Sequence, residues 1–180
     1  MFANRIFRPL AIPAFILCAI SFGLSGPARA QSAWQTYKGQ NNSYTVEFPA
    51  PPKETEVTMK TSSGAAYAMH QYVVELGATA FVTQTSEYPS EVNVSNPRSN
   101  LEAGLKNAAK NMKNGKWANI AWVKHQNLIA SDAAGEREGH VVRSYSVMKG
   151  YRIITLTYAG PPGSERSGDV ERFIKSLKIR

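Results

Sequence analysis

From Tyr44 onward, apolar and polar positions alternate in short runs that Pro and Gly interrupt. Tyr44, Val46 and Phe48 alternate with Thr45 and Glu47 until Pro49, Pro51 and Pro52 stop the run, the pattern of a half-buried strand ending in a turn. Thr55, Val57, Met59 and Thr61 alternate against Glu54, Glu56, Thr58 and Lys60, and a second strand follows from them. Ala66 to Leu76 and Thr79 to Tyr88 are β-rich runs separated by Gly77 and read as a hairpin pair. At Asn96 and Pro97 the period changes. Asn96 suits an N-cap and Pro97 the first helical position, and Leu101, Leu105, Ala108 and Met112 then line one face of a helix running to about Asn114, closed by Gly115.

Beyond that helix, Trp117 to Ala130 reads as mostly extended, with Ile120 and Trp122 on one face. Glu136 to Met148 and Tyr151 to Ala159 read as strands joined by a Lys149-Gly150 turn. A terminal helix follows, with Ser167 at its N-cap, Asp169 in its first turn and Val170, Phe173, Ile174 and Leu177 at helical spacing. Two runs of strands, each closed by a helix and connected by hairpins, predict an α+β domain with an antiparallel sheet flanked by helices.

The first thirty residues follow a different rule. Arg5 and Arg8 precede an apolar stretch from Leu10 to Leu24, and the small-x-small triplet Ala28-Arg29-Ala30 comes next, which is the pattern of a secretory signal peptide cut before Gln31. The stretch contains Pro13 and falls short of the roughly twenty residues a spanning helix needs. Cys18 follows the bulky Leu17, unlike a lipoprotein site, so residues 31–180 are expected to form one thiol-free domain, periplasmic or secreted. Thiolate catalysis and cysteine metal ligands are excluded with it. The chain of 180 residues carries 21 Lys and Arg against 13 Asp and Glu, and the leader takes three cations with it, leaving a net +5. That excess favours an anionic surface or an envelope protein as partner, without the clustered basicity expected of a nucleic-acid binder.

Candidate chemistry is sparse. Glu136, Glu138 and His140 share one face if they lie on one strand, and two carboxylates with an imidazole suit zinc or manganese; Asp132, read as loop, completes such a site only if the loop folds back. A divalent metal is the one cofactor this pattern allows for, and otherwise none is expected. Lys106, Lys110 and Lys113 form a cationic stripe away from the apolar face of the first helix, suited to an anionic partner. His70, His125 and His140 fall on three different strands, and Ser164 and Ser167 lack the spacing of a nucleophile elbow, so no catalytic residues are assigned. Trp117, Trp122, Tyr145, Tyr151 and Tyr158 sit at strand spacing and read as packing residues rather than a base-stacking platform.

Trp34 and Tyr37, the run Tyr44-Thr-Val-Glu-Phe-Pro49, Pro52-Lys53, the later Gly135, Glu136, Arg143 and Tyr145, and the terminal Asp169-Val-Glu-Arg-Phe-Ile-Lys-Ser-Leu-Lys178 together resemble the PsbP-like superfamily, in particular its small exported bacterial members. The resemblance implies an α-β-α sandwich and non-catalytic work as an assembly factor, adaptor or envelope accessory protein. The photosynthetic branch is associated with manganese and calcium, and no shared catalytic motif carries over. The expectation is therefore a monomeric, exported binding protein that is not an enzyme. Two alternatives stand beside it: a metal-dependent or histidine-based hydrolase of envelope material, and a small-ligand-binding protein with an apolar pocket between sheet and helix.

Overall fold

A computed structural model describes residues 34–61 and 63–180. The expected signal peptide, its cleavage point before Gln31 and Cys18 all lie outside the described residues. Among the described residues ten strands and two α-helices follow one another as β1 (Gln35–Lys38), β2 (Tyr44–Phe48), β3 (Lys53–Lys60), β4 (Ala66–Leu76), β5 (Thr79–Glu87), α1 (Pro97–Ala109), β6 (Asn119–His125), β7 (Leu128–Arg137), β8 (His140–Lys149), β9 (Arg152–Gly160), α2 (Gly168–Lys175) and β10 (Lys178–Ile179). β3 to β9 form an antiparallel seven-stranded sheet in the order β3-β4-β5-β9-β8-β7-β6. The remaining strands form a small sheet in the order β1-β2-β10.

Register decides which face each side chain takes, because paired residues point the same way and neighbours along a strand point opposite ways. Tyr145 pairs with Leu156, and Tyr158 pairs with Phe81, so these aromatic and branched side chains share a face. On it they meet Tyr44, Val46 and Phe48 of β2, Val170, Phe173 and Ile174 of α2, and Leu177, which lies past the end of that helix rather than on it as its spacing predicts; all are buried. Phe173 is the hub, its ring centroid lying 5.3 Å from those of both Phe48 and Phe81. The other face carries α1 over β7 and β8. Leu101 meets Met148 and Tyr88 there, while Met112 and Trp117 meet Val142. The arrangement is helix, sheet, helix, with the small sheet beside α2.

The structure departs from the periodic reading in several places. The run from Trp117 to Ala130 is split into β6 and β7 by Gln126 and Asn127, both at positive φ between the paired His125 and Leu128. That is the backbone of a tight primed hairpin turn, which Asn-Gly would have signalled and Gln-Asn does not. The same turn recurs at Glu138 and Gly139, between the paired Arg137 and His140. Asp132 consequently lies within β7 rather than in a loop, and Glu136 belongs to β7 rather than to the following strand. The next turn is Gly150 and Tyr151, one residue later than expected, because Lys149 still pairs with Arg152. α1 begins as anticipated, with the Asn96 side chain accepting a hydrogen bond from the Ser99 amide, but it ends at Ala109. Asn111, Asn114 and Gly115 are poor helix formers, and the chain continues in tighter turns that still bury Met112. Finally, β1 and β10 were not anticipated; the latter forms because the chain leaves α2 at Ser176 and lies along β2.

Candidate functional site

The turns between α1 and β6 hold Trp117 against the sheet. Its indole Nε1 donates to the Leu105 carbonyl at 2.9 Å, fixing the ring beneath the helix. Gly135 of β7 makes room: a Cβ there would lie 3.2 Å from the Trp117 ring and 3.4 Å from the Met112 sulfur. With Leu105 and Ala109 of α1, and Ile120 and Trp122 of β6, Trp117 walls an open groove of about 390 Å³. Glu102, Lys106 and Lys116 also line it, and Arg98 lies 4.6 Å from the Trp122 ring centroid while its Nε holds Glu102 at 3.1 Å. Concave, partly aromatic surface with a few charged groups is the usual chemistry of a binding site.

Charge is concentrated in the segment that walls this groove. Residues 97–127 hold six Lys and Arg and a single acid, Glu102, whereas the other described residues hold twelve cations and twelve acids. The net charge of the folded domain therefore comes from this one segment. Lys106, Lys110, Lys116 and Lys124 are exposed, and none forms an ion pair with a described residue.

Of the sequence-derived stripe, Lys106 lies on the exposed side of α1 and Lys110 at its C-cap. Lys113 departs from it. It lies past the end of the helix, and its Nζ donates to both carboxylate oxygens of Glu136, at 2.8 and 3.0 Å. Two separately chosen candidate sites thus meet in one ion pair. The metal set Glu136, Glu138 and His140 does not share a strand: Glu136 is the penultimate residue of β7, Glu138 sits in the turn beside Arg137, and His140 opens β8 with Nδ1 3.1 Å from the Glu138 carbonyl oxygen. Among the described residues no three His, Cys, Asp or Glu side chains come together as a metal site. Asp132 points to the opposite face of β7 from Gly135 and joins a different network.

That network centres on Arg143, which is 4% exposed. Its Nε and Nη2 donate to the two oxygens of Asp132 at 2.9 and 2.8 Å, and its Nη1 donates to Glu171 of α2 at 2.6 Å and to the Glu165 carbonyl at 3.1 Å. Burial alone would lower the Arg143 pKa, but the hydrogen bonds to Asp132 and Glu171 outweigh it, and the net direction is upward. Glu171 is correspondingly held below the usual carboxylate range, chiefly by its hydrogen bond from Arg143. The one guanidinium ties Asp132 of β7 and Glu171 of α2 to β8, so its geometry is that of a clamp between α2 and the sheet.

The histidines stay apart. His70 of β4 lies 3.2 Å from Glu56 of β3, and His125 of β6, at the far edge of the sheet, lies 3.2 Å from the Tyr145 hydroxyl. Burial lowers the His125 pKa, and the ring's interaction with the Leu177 backbone, which favours the protonated form, opposes this only in part. Ser164 bonds to the Tyr158 hydroxyl and to the Pro161 carbonyl, while Ser167 occupies the N-cap of α2 without a side-chain capping bond. Between α1 and the sheet, the space bordered by Met112, Trp117, Ser144 and Thr157 is about 10 Å³, room for one water at most. No helix among the described residues is long and apolar enough to cross a membrane.

The strand spacing of Trp117 and Trp122 does not distinguish a groove wall from core packing, and the charge of the whole chain hides where it is concentrated. Summing it over the segment from Pro97 to Asn127 would have found the site.

No family model and no curated protein matches the chain in sequence. Solved structures do match in shape. The solution structure of cyanobacterial PsbP (CyanoP) from Synechocystis sp. PCC 6803 superposes with a TM-score of 0.54 at 12% identity, covering 88% of this chain and 98% of that one. A protein from Bacteroides thetaiotaomicron matches at 0.45 and 12% identity, over 81% of this chain and 48% of that one. A putative regulator of unknown function from Pseudomonas aeruginosa matches at 0.39 and 12% identity, over 73% and 85%. The first of these shows a PsbP-like α+β fold.

Proposed function

We propose that the protein is an exported, non-catalytic accessory module that holds an anionic partner on the surface formed by α1, β6 and the turns between them. One observation carries this reading: the segment from Pro97 to Asn127, which holds the whole net charge of the folded domain, also supplies the walls of an aromatic-lined groove. Concentrated charge raises the encounter rate with an oppositely charged partner, and the apolar floor supplies affinity once water is displaced. The signal-like leader and the PsbP-like fold support export and an accessory role. Separation of the histidines and serines supports a role in binding over one in hydrolysis.

The test is affinity capture of envelope protein and lipid on immobilised wild-type protein and on the triple variant Lys106→Glu, Lys110→Glu, Lys116→Glu. Lys113 is left unchanged because Glu136 already holds it. Capture should be lost in the variant, and it should weaken as the Debye length falls from about 10 Å at 0.1 M salt to about 3 Å at 1 M. The melting temperature should barely move, because exposed charges contribute little to folding. Capture indifferent to both salt and the triple change would overturn the proposal.

A further inference from the structure

The seven-stranded sheet has two edges, and they are built differently. β3 carries Lys53, Glu54, Glu56 and Lys60 among its eight residues, charges of both signs that discourage another strand from pairing there. β6 carries one charge, Lys124, among seven residues, has no Pro, and leaves Ile120 44% and Val123 38% exposed. Among the described residues nothing pairs with its outer side. Such an edge offers a row of free backbone donors and acceptors.

We infer that β6 takes up an extended acidic peptide as an eighth strand, a reading that rests on the anionic-partner proposal and names the class and mode of the partner. Alternate side chains of an added strand project to one face. On the face under α1 they would lie beside Ile120 and Trp122, whose side chains wall the groove, so apolar residues fit those positions. Lys124 shares that face, since it pairs with Ile129 two positions from the Trp122 and Ser131 pair. With Lys106 and Lys116 on the groove it favours acidic residues flanking the apolar ones. The same charges argue against a second copy of this chain as the occupant, because edge-to-edge pairing would bring like lysines together.

The probe is a fluorescein-labelled peptide, Glu-Asp-Val-Thr-Val-Thr-Val-Asp-Glu, titrated into the folded protein by anisotropy. One companion is N-methylated on the valines and a second on the threonines and aspartates, which removes the donors along one edge or the other. Strand addition uses a single edge, so one companion should bind at least tenfold more weakly and the other like the parent. Lys106→Glu with Lys116→Glu should weaken the parent at least tenfold. Salt-sensitive binding that is the same for both companions would keep the anionic-partner reading and overturn strand addition. Equal loss in both companions would also overturn it. Phosphatidylglycerol vesicles that bind where the peptide does not would overturn it in favour of a lipid surface, and a concentration-dependent dimer without peptide binding would overturn it in favour of self-pairing. Failure of every anionic probe would overturn both readings.

Discussion

The two helices lie on opposite faces of one sheet and meet opposite chemistry there. Beneath α2 the sheet presents Phe81, Tyr145, Leu156 and Tyr158, and the helix answers with Val170, Phe173 and Ile174. On the α1 side, register sets Gln84, Thr155, Ser146 and Ser131 in a row across four neighbouring strands, all buried, with Ser144 and Thr157 next to them. α1 itself buries Leu101, Leu105 and Ala108 together with Gly104 and Asn107. One face concentrates the apolar burial that drives folding. The other holds its helix with fewer apolar contacts and places the exposed lysines and the groove at that helix's flank.

The largest expected effect tests the first half of this contrast. Phe173 is fully buried and touches two other rings, so Phe173→Ala should cost about 3–5 kcal/mol in urea unfolding. Leu105→Ala, on the groove side, should cost less. A larger loss at Leu105 than at Phe173 would mean that the stability of the domain resides under α1 instead.

Next comes the clamp that fastens α2. Arg143→Ala leaves Asp132 and Glu171 without their shared guanidinium, and breaking a buried pair from one side costs about 3–5 kcal/mol. The pH dependence follows from the lowered pKa of Glu171. The unfolded chain takes up the Glu171 proton at higher pH than the folded one, so the contribution is complete above the ordinary carboxylate range. It is lost as pH falls through the folded pKa. Acid titration of the melting temperature should therefore be shallower in Glu171→Gln than in wild type. An unchanged slope would remove Glu171 from the clamp.

The strands that form hairpins with ordinary alternation, and both helix starts, were legible in the sequence, because alternation and helical spacing report directly which side is buried. Asn96-Pro97 is read the same way in sequence and structure. What escaped notice had a local cause. Gln126-Asn127 and Glu138-Gly139 take the same turn, but the first lacks glycine and the second sits inside a run of charged residues, so the breaks were missed and Glu136 was joined to the wrong strand. The candidate metal set inherited that error. The lysine stripe was legible at Lys106 and Lys110, whereas Lys113 was placed by a helix end that spacing alone does not reveal. Arg143 appeared only as part of a resemblance, since its partners, Asp132 on the neighbouring strand and Glu171 on α2, lie 11 and 28 residues away.

The smallest effect carries the opposite sign and bears on the α1 face. Gln84 is 4% exposed, and neither its Nε2 nor its Oε1 has a hydrogen-bond partner; the Ser131 hydroxyl, in the same row, also lacks one. An amide withdrawn from water without a partner costs about 1–3 kcal/mol on mutational scales. Replacing it with a side chain of similar length and no such demand should recover part of that cost. Gln84→Met is therefore expected to raise stability by about 1 kcal/mol, whereas a polar-to-apolar change at the well-paired Ser146, 2.9 Å from Thr155, should lower it. Urea melts of the two variants read the difference directly. If Gln84→Met instead lost 1 kcal/mol or more, the amide would have a partner such as bound water, and the row from Gln84 to Ser131 would be a solvated seam beneath α1. The contrast between the two faces would then rest on hydration as well as on apolar packing.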